Sequence, residues 1–140
     1  MTREDVLAVI AQRNEALTRR DGDAMGALYA PSAKLESPLA GMGTGPEAVV
    51  RASEGFFAAF PDATIVPEPP IVDGDRATII AEVSGRHIGT FMGLPPSGRA
   101  FRFVLVSILE LRDRQIVRER RIYDFTGLLV QVGVLKAKPV

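Results

Sequence analysis

Helices first and an antiparallel meander afterwards: the order of elements along these 140 residues predicts an α+β fold, not an alternating α/β one. Two further observations support it. Residues 63–123 contain the β-rich runs, and no repeat, linker or low-complexity stretch interrupts the chain. A chain this long fits one domain, 1–140, and can bury a core without metal or disulfide staples.

The elements follow in order. Thr2 and Asp5 form a capping-box pattern that starts a helix, and Val6, Val9, Ile10, Arg13, Ala16 and Leu17 recur at helical spacing. Asp23 is placed to cap a second, short helix through Tyr29, with Pro31 ending it. Ala33 to Ser37 reads as a short strand, and Pro38, Gly41, Gly43 and Gly45 as a flexible loop. Pro46 suits the first turn of a third helix, with Val49, Val50, Ser53, Phe56, Phe57 and Phe60 on its apolar face. Pro61-Asp62 stops it. Thr64 to Val66 begins a strand that Pro67, Pro69 and Pro70 keep at an edge. Arg76 to Ile88, Phe101 to Leu111 and Gln115 to Tyr123 are longer strands, separated by Gly93–Gly98 and by the turn Arg112-Asp113-Arg114. Thr126 to Leu135 closes the chain as a short helix.

Strand parity assigns faces. Ala77, Ile79, Ala81, Val83, Gly85 and His87 share one apolar face, with the lone histidine at its end. Phe101, Phe103, Leu105, Ser107, Leu109 and Leu111 form the next row, and Val104, Val106 and Ile108 make its opposite face look buried too. In the last strand Ile116, Arg118, Arg120, Ile122 and Asp124 fall on one face, and Gln115, Val117, Glu119, Arg121 and Tyr123 on the other. Charges among isoleucines must be paired, hydrated or functional, because an isolated buried charge is prohibitively costly.

Composition narrows the partners. Seventeen basic and 17 acidic residues cancel, so no basic excess points to nucleic acid. There is no cysteine, which excludes disulfides, thiolate nucleophiles and cysteine-based zinc sites. With a single histidine and no ligand-type spacing around His87, no metal is expected. The N-terminus lacks an apolar signal core, and no run approaches the roughly 18 apolar residues of a membrane span. A cytoplasmic protein without a membrane partner is expected.

Residues 85–99, GRHIGTFMGLPPSGR, resemble the G-x-H-x-G-x-F-x-G-[LI]-P-P-[TS]-G-[RK] segment of SnoaL-like polyketide cyclases, within the wider nuclear-transport-factor-2-like (NTF2-like) superfamily. Ile116-Val117-Arg118-Glu119 and the ending from Asp124 through Gly127-Leu128-Leu129 to Gln131 and Gly133 resemble that family's I-V-x-E and D-x-x-G-L-L-x-Q-[LI]-G. Phe60-Pro61-Asp62 resembles its A-F-P-D segment. The resemblance implies a cystatin-like cone: a curved antiparallel sheet, packed with the N-terminal helices, around a deep and mostly apolar cavity. It also implies an intramolecular aldol condensation on a polyketide-like substrate with no cofactor. By motif, Asp124 corresponds to the catalytic general acid/base and His87 to a cavity histidine.

The resulting expectations are specific. A carboxyl group in an apolar site can move a proton if its pKa rises towards neutrality, which gives Asp124 its role. His87 would bind the carbonyl oxygen or tune Asp124. Arg118 and Arg120 would stabilise an enolate or hold a carboxylate, and Phe91, Phe103 and Ile122 would contact the substrate. The residues alone leave plainer roles open. Asp124 could cap the last helix, His87 could be structural, and the two arginines could pair with Glu119, Glu110 or Glu82. The alternatives to a cyclase or isomerase are a non-catalytic binding module and an epoxide-hydrolase-like enzyme with an Asp-Arg-Asp arrangement. A small hydrophobic or carbonyl-containing ligand is expected, as is a homodimer through the sheet face around Val104 and Val117.

Overall fold

The structure is a computed structural model and describes residues 1–136. Helix α1 spans Arg3–Thr18 behind the expected capping box: Asp5 N–H donates to Thr2 Oγ1 at 3.2 Å and Thr2 N–H to Asp5 Oδ2 at 2.8 Å. Helix α2 is shorter than expected, Gly22–Gly26, and Asp21, not Asp23, caps it, accepting from Ala24 N–H at 3.0 Å. Strand β1 (Tyr29–Ser37) therefore begins where the helix was expected to end, and Pro31 lies within it. The pairing of β1 shifts register between Tyr29 and Lys34, an irregularity that tolerates a residue without an N–H.

The glycine-rich segment is strand, not loop. Strand β2 (Gly41–Thr44) folds back on β1, with Ser37 opposite Gly41 and Lys34 opposite Thr44. Helix α3 (Gly45–Ala59) follows with proline in its first turn. Strands β3 (Thr64–Pro67) and β4 (Ile71–Asp73) both pair with one edge of β5 (Arg76–Arg86), which continues into β6 (Ala100–Arg112), β7 (Gln115–Ile122) and helix α4 (Phe125–Gln131). The sheet runs β2-β1-β7-β6-β5-β3. It is mixed, since β1 pairs with β7 in parallel; the all-antiparallel sheet expected from the meander is corrected at that one junction.

Parity holds where the ladder is regular. Ala77, Ile79, Ala81 and Val83 of β5 are buried, as are Phe101, Phe103, Ser107, Leu109 and Leu111 of β6. The opposite face of β6 is not enclosed, because Val104 is 57% exposed and Val106 and Ile108 are half-buried.

In β7 parity fails. Glu110 pairs with Arg118 while Leu111 pairs with Ile116, so Val117 is an extra residue, a β-bulge. Beyond it every side chain changes face. Glu119, Arg121 and Tyr123 turn inward, and Arg118, Arg120, Ile122 and Asp124 are exposed.

The core forms two clusters. One joins α1, α2 and α3 to the sheet through Val6, Ile10, Met25, Val49, Leu109 and Ile116. The other gathers Phe60, Val83, Phe91, Phe101, Phe103 and Leu128. Gly89 ties the connection after β5 to α3: its N–H donates to Ala59 O at 2.9 Å, and a Cβ there would collide with Ala58 O.

Candidate active site

A cavity of about 590 Å³, within the usual range for small-molecule sites, is lined by residues of both clusters. Leu35 and Leu39, the α3 side chains Ala52, Phe56 and Phe57, and Val83, Phe91, Phe103 and Leu105 make its walls largely apolar. Ser37, Ser53, Thr90, Arg13, Arg51, Arg121 and Tyr123 supply the polar lining, and among the described residues no Asp, Glu or His lines it.

Behind the wall lies a buried ionic network. Arg13 on α1 donates from Nε to Tyr29 Oη at 3.1 Å and to Glu119 Oε1 at 3.3 Å. Its Nη2 reaches Glu119 Oε2 at 2.9 Å and Ser107 Oγ at 3.3 Å. The Tyr29 hydroxyl donates to Glu119 Oε1, and Arg121 Nε donates to Glu119 Oε2.

Burial alone would raise the Glu119 pKa, but Arg121 and Arg13 outweigh it and hold the carboxyl at about 2. Burial, with the Glu119 charge adding to it, pushes the Tyr29 phenol up to about 12 against the opposing pull of Arg13. Two guanidinium groups thus share one carboxylate, and the network carries a net charge of +1. Arg13 and Arg121 both line the cavity, and Arg121 is the more open of the two, its side chain 15% exposed against 2%. Among the described residues, only Nε of Arg121 has a hydrogen-bond partner.

Tyr123 stands two residues further along the same face. Its ring stacks on Phe103 with centroids 5.0 Å apart, and its hydroxyl accepts from Leu39 N–H at 3.2 Å. The hydroxyl proton is left to donate.

The residues singled out from the sequence divide. Phe91 and Phe103 line the cavity. Arg118, Arg120 and Ile122 do not: the bulge turns them to the outer face. There Arg120 pairs with Glu36 at 2.8 Å and Arg118 approaches Glu110 at 3.9 Å.

Asp124 is exposed, lies outside the cavity wall and caps α4, accepting from Gly127 N–H at 2.8 Å. His87 is buried but also outside the wall. Ser97 N–H donates to its Nδ1 at 3.1 Å, which leaves the proton of the neutral ring on Nε2; that atom has no hydrogen-bond partner among the described residues. The ring packs edge-on against Phe60 and Phe91, so it supports Phe91 from behind and anchors the 93–99 loop. No aspartate lines the cavity among the described residues, so the Asp-Arg-Asp arrangement of the hydrolase alternative does not form there.

The inward residues Glu119, Arg121 and Tyr123 were missed because one backbone insertion reversed their face. Arg13 carried a usable signal: a guanidinium within the apolar stripe of α1 demands a buried partner.

A curved sheet around a cavity, with helices packed against it and a polar end built on the last strand, defines an α+β class organised around a chamber. Within it, residues 8–132 match the SnoaL-like polyketide cyclase family, and the chain belongs to that family. It is 31% identical over 94 residues to nogalonic acid methyl ester cyclase of Streptomyces nogalater, covering 66% of this chain and 70% of that protein. Two solved structures are similar throughout. AclR of Streptomyces galilaeus, provisionally described as a hydroxylase, has a TM-score of 0.83 at 25% identity, covering 99% of this chain and 87% of that one. IdmH of Streptomyces antibioticus, provisionally described as a polyketide cyclase, has a TM-score of 0.77 at 28% identity, covering 91% and 98%. The fold is the NTF2-like, ketosteroid-isomerase-like one.

Proposed function

We propose that this chain is a cyclase-type enzyme that takes a small, flat, polyketide-like carbonyl compound into the cavity and stabilises the negative charge formed on its oxygen during ring closure. One observation supports this most directly: β7 and its extension bring two strong donors, Arg121 and Tyr123, to a largely apolar chamber.

In an aldol closure a carbon beside a carbonyl gives up a proton to solvent, and the enolate carbon attacks a second carbonyl, forming the carbon–carbon bond as that carbonyl's π electrons move to its oxygen. The alkoxide so formed is then protonated. Donors fixed where that charge develops lower the barrier, and removing one typically costs on the order of a hundredfold in rate. The Tyr123 hydroxyl has its proton to give, and Arg121 supplies a permanent charge beside it, roughly 7 Å away along the strand.

Proton exchange tests the reading. In D2O, a benzoate carrying a 1,3-diketone side chain, followed by NMR, should exchange its acidic α-protons faster with the protein than in buffer. Tyr123→Phe should lose most of that gain. Binding without any gain in exchange would favour the non-catalytic module, which the absence of a carboxyl or imidazole group from the described wall also fits.

The acid/base role expected of Asp124 can be separated from capping. Asn caps helices as well as Asp does, so Asp124→Asn keeps α4 and removes only the titratable oxygen. With that carboxylate exposed and bonded to Gly127, turnover should stay within a few-fold of wild type. A loss of about a hundredfold at unchanged melting temperature would return the proton transfer to Asp124.

A further inference from the structure

The charged groups of the cavity wall are all of one sign. Arg13, Arg51 and Arg121 contribute to the lining, and among the described residues no carboxylate does. The chain as a whole is neutral, so the asymmetry is local. The carboxylate that could neutralise Arg121 is already divided. Glu119 receives Arg121 Nε on one oxygen, but that oxygen also takes Arg13, and the other takes Tyr29 and Arg13. Glu119 is itself fully buried behind the wall.

A guanidinium with one edge committed and the other open, in a site with apolar walls, is built to receive an anion in two parallel hydrogen bonds. A neutral ester offers two oxygens but no charge. Near a network of net +1 with little competing water, the difference between acid and ester is read strongly.

Resting on the small-molecule cavity reading above, with the developing oxyanion left to the Tyr123 hydroxyl, we infer that the ligand carries a free carboxylate, held by the terminal nitrogens of Arg121 while its aromatic body lies against Tyr123 and Phe103. The selected substrate class is an aromatic or polyketide acid, not its ester. That separates this chain from its relative in Streptomyces nogalater, whose name specifies a methyl ester.

The test is calorimetric titration of the full chain with 2-naphthoate and, separately, with methyl 2-naphthoate, at neutral pH and low salt. The acid should bind at least about tenfold more tightly than the ester, the scale of one charge-assisted contact. Arg121→Gln should reduce that preference to near unity. Arg120→Gln, on the outer face, should leave it intact. If Arg121→Gln does not fold, Arg121→Lys keeps a cation at the site and should keep a preference for the acid.

Equal or tighter binding of the ester to wild type overturns the carboxylate assignment and leaves the cavity reading standing. Failure of both probes to bind overturns both. A preference that persists undiminished in folded Arg121→Gln, or vanishes in folded Arg121→Lys, overturns the role given to Arg121.

Discussion

Glu119 is the residue on which the polar end depends. Its folded pKa is depressed, so by linkage its contribution is fully present above the unfolded value of 4.5 and is lost as pH falls through about 2. The whole effect is on the order of 3 kcal/mol. Urea unfolding followed from pH 6 to pH 2 should show stability falling across that window. The same series on Glu119→Gln should show a shallower fall. Asp5, whose pKa is also lowered, chiefly by its bond to the Thr2 backbone, contributes equally to both series and cancels. At neutral pH Glu119→Gln should itself cost about 3–5 kcal/mol, since it leaves two buried guanidinium groups without a counter-charge.

Among the elements, α4 and its cap are the most sharply defined. A Cβ on Gly127 would collide with the Asp124 carboxylate that caps the helix. Gly127→Ala should therefore destabilise by about 1–2 kcal/mol, the value of a lost cap, while Asp124→Asn should be close to neutral in the same thermal melts. Gly89→Ala should be worse, about 3 kcal/mol or more, because its Cβ meets backbone that cannot swing aside.

Elements of this kind were legible in the sequence where local chemistry decides them. The Thr2 capping box, Pro46 in the first turn of α3, and the alternation of β5 and β6 were all readable. What was not legible depends on long-range pairing. A glycine-rich segment becomes β2 because β1 offers it an edge, and Pro31 enters a strand because β7 lies alongside. The site suffered most from this. Phe91 and Phe103 could be placed, but the choice between Arg120 and Arg121 turns on a bulge that leaves no mark in composition or periodicity.

At the scale of the whole molecule, the sheet has an inner face committed to core and cavity and an outer face only partly covered. Val104 and Ile122 are exposed there, while Val117 packs against the inner cluster and so cannot serve the contact expected of it. A homodimer through this face would have twice the 15.1 kDa chain mass. Light scattering should then show Val104→Glu combined with Ile122→Glu shifting the particle to single mass with the melting temperature little changed.

The bulge at Val117 also bears on how the chain finds its register. If β7 docked on β6 with Ile116 opposite Leu111 but without the extra residue, Arg118 and Arg120 would take the inward places of Glu119 and Arg121. Arg13 would then face two further cations and no anion. Such a slipped pairing satisfies the backbone ladder, yet it assembles three like charges in a low-dielectric interior. The ionic network therefore weighs against a mispairing that isoleucine at 116, inward in either case, does not itself exclude.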